Sequence, residues 1–172
     1  MDLLGYINEQ MVGYDWSKAT AGTKEIDLGT RVNIMASFGP QLAESWEIPE
    51  LGTWVMKIRK GVRWALNPAS EASRLMNGRE MTADDVVWSV KRMTTNPTST
   101  TVASQRAMAA AVTVEKTGPW VVTIKTPVDP MNGFFWVIWG GNAQHIFPTE
   151  VIQKYGNMQD WRNVVGTGAW MI

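Results

Sequence analysis

Gln41-Leu-Ala-Glu-Ser-Trp-Glu-Ile48, Trp54-Val-Met-Lys-Ile-Arg-Lys-Gly-Val-Arg-Trp64 and Asn77-Gly-Arg-Glu-Met-Thr-Ala-Asp-Asp-Val-Val-Trp-Ser-Val90 follow one another along the chain, and their order decides the fold. The first reads as a short strand that stops at Pro49, with Glu50-Leu-Gly-Thr53 supplying the residues of a turn. In the second, Trp54, Met56 and Ile58 share one face and Val55, Lys57 and Arg59 the other, because side chains alternate across a strand. Half of that strand is expected to be buried. Gly61 permits a tight bend, after which Val62 and Trp64 fall on one side. In the third, Asn77-Gly78 is a turn signal, and Thr82 with Asp85 three residues on marks the start of a helix. Ala83, Val86, Val87 and Val90 then recur at i, i+3, i+4 and i+7 as one apolar stripe. Acids occupy the first turn and Lys91 and Arg92 the last, as the helix dipole favours.

Beyond this stretch, Asn96-Pro-Thr-Ser-Thr-Thr101 reads as a loop and Val102 to Ala111 as a short Ala-rich helix. Gly118-Pro119 separates two period-two runs, Val112 to Lys116 and Trp120 to Lys125, which predicts a hairpin. Val112, Val114, Trp120, Val122 and Ile124 would face one core, and Pro127 and Pro130 end the second strand. Pro148 suits the first turn of a helix whose Val151, Ile152 and Tyr155 face inward and which Gly156 terminates at positive φ. Asp160 to Val164 is read as one more turn. Residues 1–37 give few signals. Antiparallel strand pairs with interspersed helices make the fold class α+β and argue against a doubly wound parallel sheet.

Composition narrows the function. With 172 residues, 45% of them apolar, and ten tryptophans, the chain can build the core of a single domain. Its zero net charge argues against a nucleic-acid partner, since phosphate neutralisation needs an excess of Lys and Arg. The basic residues Lys57, Arg59, Lys60 and Arg63 beside Trp54 and Trp64 are accounted for by strand alternation. The absence of cysteine removes disulfides, thiol nucleophiles and thiolate metal sites. The longest strongly apolar run, Phe134 to Trp139, falls far short of the ~20 residues of a membrane helix, and Met1-Asp-Leu-Leu4 lacks the features of a signal peptide.

Catalytic signals are weak. His145, the single histidine, has no carboxylate within a helical turn in Gly140-Gly-Asn-Ala-Gln-His145 and is read as a loop residue, not a metal ligand or catalytic base. Asp84 and Asp85 diverge on a helix and are read as first-turn acids. Gly166-Thr-Gly168 lacks the Lys-Ser/Thr of a phosphate loop. Trp88 lies off the valine stripe, at a boundary. Trp136 and Trp139, three apart, would share a helical face; packing in a core or against another lobe is the plainer reading and ligand contact the alternative. No catalytic, metal or cofactor site is expected.

Leu42-Ala-Glu-Ser-Trp46, Ile58-Arg-Lys-Gly-Val-Arg-Trp64 and Asn77 to Val90 resemble the signature region of the family 5 extracytoplasmic solute-binding proteins, receptors for peptides, dipeptides and nickel in ATP-binding-cassette importers. Gly166-Thr-Gly-Ala-Trp170 is similar to a Gly-Thr-Gly-Pro-Tyr segment of the same family. The resemblance runs from about Phe38 to the end. Two departures stand out: Ala65 to Met76 is longer than the usual connection, and Ala169 replaces proline.

The resemblance implies a subdomain of lobe I of a periplasmic-binding-protein-like class II fold, with residues 1–172 a single partial domain and the second lobe absent. It implies a fragment of a receptor that captures a peptide-like or oligosaccharide solute for a membrane permease in the periplasm or outside the cell, associated with the membrane. The loop after the capped helix approaches the ligand in some members, which makes Thr101 and Ser104 candidate ligand contacts beside Trp136 and Trp139. Self-association through the face left by the missing lobe is a further expectation. The alternatives are a stand-alone glycoside hydrolase, which needs two carboxylates in one cleft with a raised pKa, and a purely structural or interaction subdomain with an apolar patch.

Overall fold

The alternating run that begins at Trp54 becomes an inner strand of a four-stranded antiparallel sheet. The computed structural model describes residues 7–15, 17, 38–126 and 145–171. Along the chain come β1 (Val12–Tyr14), β2 (Phe38–Pro40), β3 (Ala43–Glu50), β4 (Thr53–Ile58), α1 (Glu71–Met76) and α2 (Ala83–Thr95). They are followed by α3 (Thr100–Ser104), α4 (Arg106–Ala111), β5 (Thr113–Gly118), β6 (Val121–Lys125), α5 (Thr149–Tyr155) and a 3-10 turn, Trp161–Asn163.

The sheet order is β3-β4-β6-β5, and every neighbouring pair is antiparallel. Its register sets Trp46 opposite Met56, Trp54 opposite Ile124, Met56 opposite Val122, and Val114 opposite Ile124. One face is therefore continuous. Trp54, Met56, Ile58, Val114, Val122 and Ile124 are all buried, while Lys57 on the other side of β4 and Arg59 just past its end are exposed. Val112 and Trp120 pack at the rim of this core, as their alternation predicted. Helix α2 lies over β5 and β6 and buries Val86, Val90 and Met93 against the sheet. Trp88 is half-buried, with the Arg92 guanidinium 6.0 Å from its ring centre.

The α+β class and the antiparallel pairing agree with the sequence reading. Several details differ. The first strand does not stop at Pro49 but runs to Glu50. Because β3 is an edge strand among the described residues, proline's missing N–H need not face a neighbour, and the pairing shifts register between Glu47 and Glu50. Gly52, at φ 85°, makes the reversal into β4.

Ala65 to Met76 is not a plain loop. It contains α1, which Ser70 caps by accepting the Ser73 N–H at 3.2 Å and which Asn77 ends at φ 50°. Nor is Val102 to Ala111 one helix, because Gln105 (φ −140°, ψ 51°) breaks it into α3 and α4 and the first begins at Thr100, inside the expected loop. Pro148 caps α5 just outside its first turn, and Gly156 closes it at φ 78°.

The pairing of β1 with β2 has no counterpart in the sequence reading. It is continued by the backbone of Met11 and Gln10, whose carbonyls accept N–H groups of Gln41, Leu42 and Ala43. Pro127, Pro130, Trp136 and Trp139, to which the sequence reading assigns a strand end and a shared helical face, lie outside the described residues.

Candidate functional site

Two constellations of polar groups flank α2, one at each end. At its N-terminus the Asn77-to-Val90 motif forms an ionic knot. Asp85 accepts the Thr82 backbone N–H at 2.9 Å, the reciprocal half of a capping box. Its carboxylate also takes a bidentate pair from Arg79, at 2.6 and 2.8 Å. Arg79 turns its Nε and second Nη2 hydrogen to Glu150 on α5, at 2.6 and 2.7 Å, and donates from Nη1 to the Glu80 carbonyl at 3.0 Å.

One guanidinium thus joins the turn, α2 and α5. Asp85 is 3% exposed and is the one buried carboxylate among the described residues. The Asp85 carboxylate beside it holds the Arg79 pKa above its usual range, and Arg79 in turn holds Glu150 below the usual carboxylate range. The expected capping role of Asp85 is what the structure shows. Asp84, its neighbour, points elsewhere and pairs with Lys116 on β5 at 2.6 Å.

At the other end, Ser89, Arg92, Met93 and Asn96 of α2 and its cap form one wall of a cleft of about 290 Å³. They recur at i, i+3, i+4 and i+7, the spacing of one helix face. The Thr98–Thr101 segment forms a second wall, and Phe147, Ile152 and Asn157 to Gln159 close it from the far side. Its volume lies near the lower end of ligand pockets, roughly 300–1,000 Å³.

The cleft is rich in donors. Asn96 Oδ1 accepts from the Thr98 N–H and hydroxyl, at 3.0 and 2.9 Å, and Asn157 Oδ1 accepts the Gln159 N–H at 2.9 Å. Backbone N–H groups can only donate, so the oxygens are fixed and both amide nitrogens are left as donors. Arg92 spends one hydrogen on the Gly156 carbonyl, at 3.2 Å. Among the described residues no Asp or Glu lines the cleft, and Arg92 is the one charged lining residue.

Thr101 is fully buried beneath this wall, and its hydroxyl has no hydrogen-bond partner among the described residues. Such a group costs about 1–3 kcal/mol in desolvation. Of the two candidate ligand residues that are described, Thr101 lines the cleft and Ser104 does not. Ser104 is exposed, and its hydroxyl donates to the Thr100 carbonyl at 2.6 Å. Trp136 and Trp139 fall outside the described residues. The wall of α2 was missed in the sequence, although its spacing was there to be read.

Other sequence candidates have structural explanations. His145 lies outside the helices and strands and is buried; its Nδ1 donates to the Asn8 carbonyl at 3.0 Å, and its backbone bridges to Gln10. Gly166 lies so close to the N-terminal segment that a Cβ there would overlap the Ile7 carbonyl. The Gly168 N–H donates to that same carbonyl at 2.7 Å, so Gly166-Thr-Gly168 is a close backbone crossing.

A second concavity of about 390 Å³ lies between α1 and the 3-10 turn. Its charged groups are already paired, Glu71 with Lys154 at 2.6 Å and Asp160 with Arg162 at 2.9 Å. No group of three potential metal ligands occurs among the described residues, and none of the described helices is long and apolar enough to cross a membrane.

Against known proteins, residues 37–172 match the model of the bacterial extracellular solute-binding proteins, family 5. No curated protein matches the chain by sequence. Among solved structures, the oligopeptide-binding protein AppA from Bacillus subtilis, in complex with a nonapeptide, is similar with a TM-score of 0.63 at 17% identity, over 95% of this chain and 27% of that one. MoaA from A. tumefaciens R10, in complex with mannopinic acid, is similar with a TM-score of 0.66 at 22% identity, over 99% and 29% of the two chains. NikZ from Campylobacter jejuni, in complex with Ni(L-His), is similar with a TM-score of 0.65 at 16% identity, over 98% and 27%. The chain therefore spans less than a third of the length of these structures, and at such identities they speak for the fold alone. Since the family model covers most of the sequence, the chain belongs to the bacterial extracellular solute-binding proteins, family 5.

Proposed function

We propose that this chain is part of lobe I of the substrate receptor of an ATP-binding-cassette importer, a receptor that captures a peptide-like or oligosaccharide solute outside the cytoplasm. The family match over residues 37–172 carries the reading. The fold supports it, since nearly the whole chain superimposes on under a third of three binding proteins. In this reading a second lobe, outside residues 1–172, closes over the solute, and the closed form engages a membrane permease.

Thr101 and Ser104 belong to the segment proposed to approach the solute, with Trp136 and Trp139 as further contacts. Closure adds contacts that the open form does not make, so one lobe face supplies only part of the binding free energy. Calorimetric titration of the chain with dipeptides, oligosaccharides and nickel complexes is expected to give affinities of about millimolar or weaker. Sub-micromolar binding by the chain alone would overturn the partial-lobe reading.

The hydrolase alternative finds no support among the described residues. A glycosidase needs a carboxylic acid with a raised pKa facing a cleft. Here Glu150 and Glu71 are both held low, by Arg79 and Lys154 respectively, and no described acid lies in the walls of the cleft beside α2.

A further inference from the structure

The cleft beside α2 is two-sided in its chemistry. Met93, Phe147, Ile152 and Met158 give it an apolar part, while Arg92, Asn96, Asn157 and the covered Thr101 hydroxyl give it donors. The amide oxygens of Asn96 and Asn157 are committed to the protein's own backbone, and no acid lines the cleft among the described residues. A cationic ligand would meet Arg92 with nothing to offset it. A neutral sugar would set no charge against the Arg92 guanidinium.

An acceptor-only head on a short apolar body fits both halves. From this we infer that the cleft is a subsite for a small aliphatic carboxylate, such as the carboxyl end of a peptide that finishes in an aliphatic residue. Arg92 would take the carboxylate through its remaining guanidinium hydrogens, and the amides of Asn96 and Asn157 would add neutral donors. Thr101 would supply its hydroxyl last. Because that hydroxyl is covered, its contact requires the Thr98–Thr101 segment to shift as the ligand enters.

Taking the occupant for part of a transported solute rests on the receptor reading, but binding in the cleft does not. The test is therefore made on the 172-residue chain, using isovalerate, its uncharged counterpart isovaleramide, and inorganic phosphate, followed by backbone amide NMR shifts.

Isovalerate is expected to move the amides of Ser89, Arg92 and Thr98–Thr101 saturably, while isovaleramide leaves them in place and phosphate binds more weakly for want of an apolar body. Arg92→Gln should weaken isovalerate on the order of tenfold, with Arg92→Lys between the two because it keeps charge but loses the fork. Thr101→Val should weaken it about threefold, and an unchanged dispersed spectrum would show that the variant is folded. Equal shifts with acid and amide, shifts centred elsewhere, no saturable response to isovalerate, or unaltered affinity in Arg92→Gln would each overturn the subsite. Failure of the importer reading would appear differently, as isovalerate binding intact in a chain whose full-length form takes up no solute.

Discussion

The two ends of α2 handle buried polar groups in opposite ways. At the N-terminus, Asp85 is buried and fully engaged by Thr82 and Arg79. Beyond the C-terminus, Thr101 is buried and its hydroxyl engages nothing among the described residues. A buried polar group stabilises a fold only when its partners are present, and otherwise it opposes folding. The first end therefore has the chemistry of a scaffold, and the second has that of a place kept ready for something that arrives. The family signature lies at the first end, which gives Asn77 to Asp85 a structural purpose.

The largest expected effect comes from breaking the knot. Arg79→Gln would leave Asp85 buried beside an amide that cannot neutralise it, costing about 3–5 kcal/mol in urea unfolding. A loss below roughly 1 kcal/mol would mean that water reaches Asp85 and that the knot is ornamental. Glu150→Gln is milder, because Glu150 is 38% exposed along its side chain and solvent screens its pairing. About 1 kcal/mol is expected.

The same contact has a pH signature. Glu150 is held below the usual carboxylate range, so its contribution is complete above the unfolded value of ~4.3 and is lost as pH falls through the folded value. The stability of Glu150→Gln should accordingly fall less than that of the parent as pH drops through this window, the gap between the two closing as Glu150 takes up its proton. An unchanged acid limb would remove Glu150 from the knot.

The smallest effect is predicted for Lys154→Ala. Its ion pair with Glu71 lowers the Glu71 pKa, yet both groups sit in water and salt screens them. No resolvable change in the urea midpoint is expected at physiological ionic strength. A clear destabilisation would show that α1 depends on this contact to dock against α5.

The scaffold was far more legible in the sequence than the cleft. Trp54, Met56 and Ile58 announce a buried strand face by alternation alone, and Thr82-Ala-Asp-Asp85 announces its helix, because both signals are local. Helix α1 carried a readable cap in Ser70 and a readable stop in Asn77, but its Leu75 is exposed at 40%, so no apolar stripe marked it. The ribbon of β1 and β2 joins strands of three residues each across a long separation, too short for any period to register. In the cleft, Ser89, Arg92, Met93 and Asn96 were visible as a polar helix face. Nothing local shows that Phe147 and Asn157 arrive opposite them or that Thr101 is covered, since both are products of tertiary packing.

The contrast is tested most directly by heating the parent chain and Thr101→Val side by side, with and without isovalerate at about ten times its dissociation constant. Without ligand, the variant should unfold at the same temperature as the parent or slightly above it, because an unpartnered hydroxyl is replaced by a methyl group. With ligand, the parent should gain roughly 1.4 kcal/mol, a rise of a few degrees, and the variant clearly less. A variant that melts well below the parent in buffer, or that gains as much from the carboxylate, would mean that the Thr101 hydroxyl already serves the fold and that nothing is held ready at that end of α2.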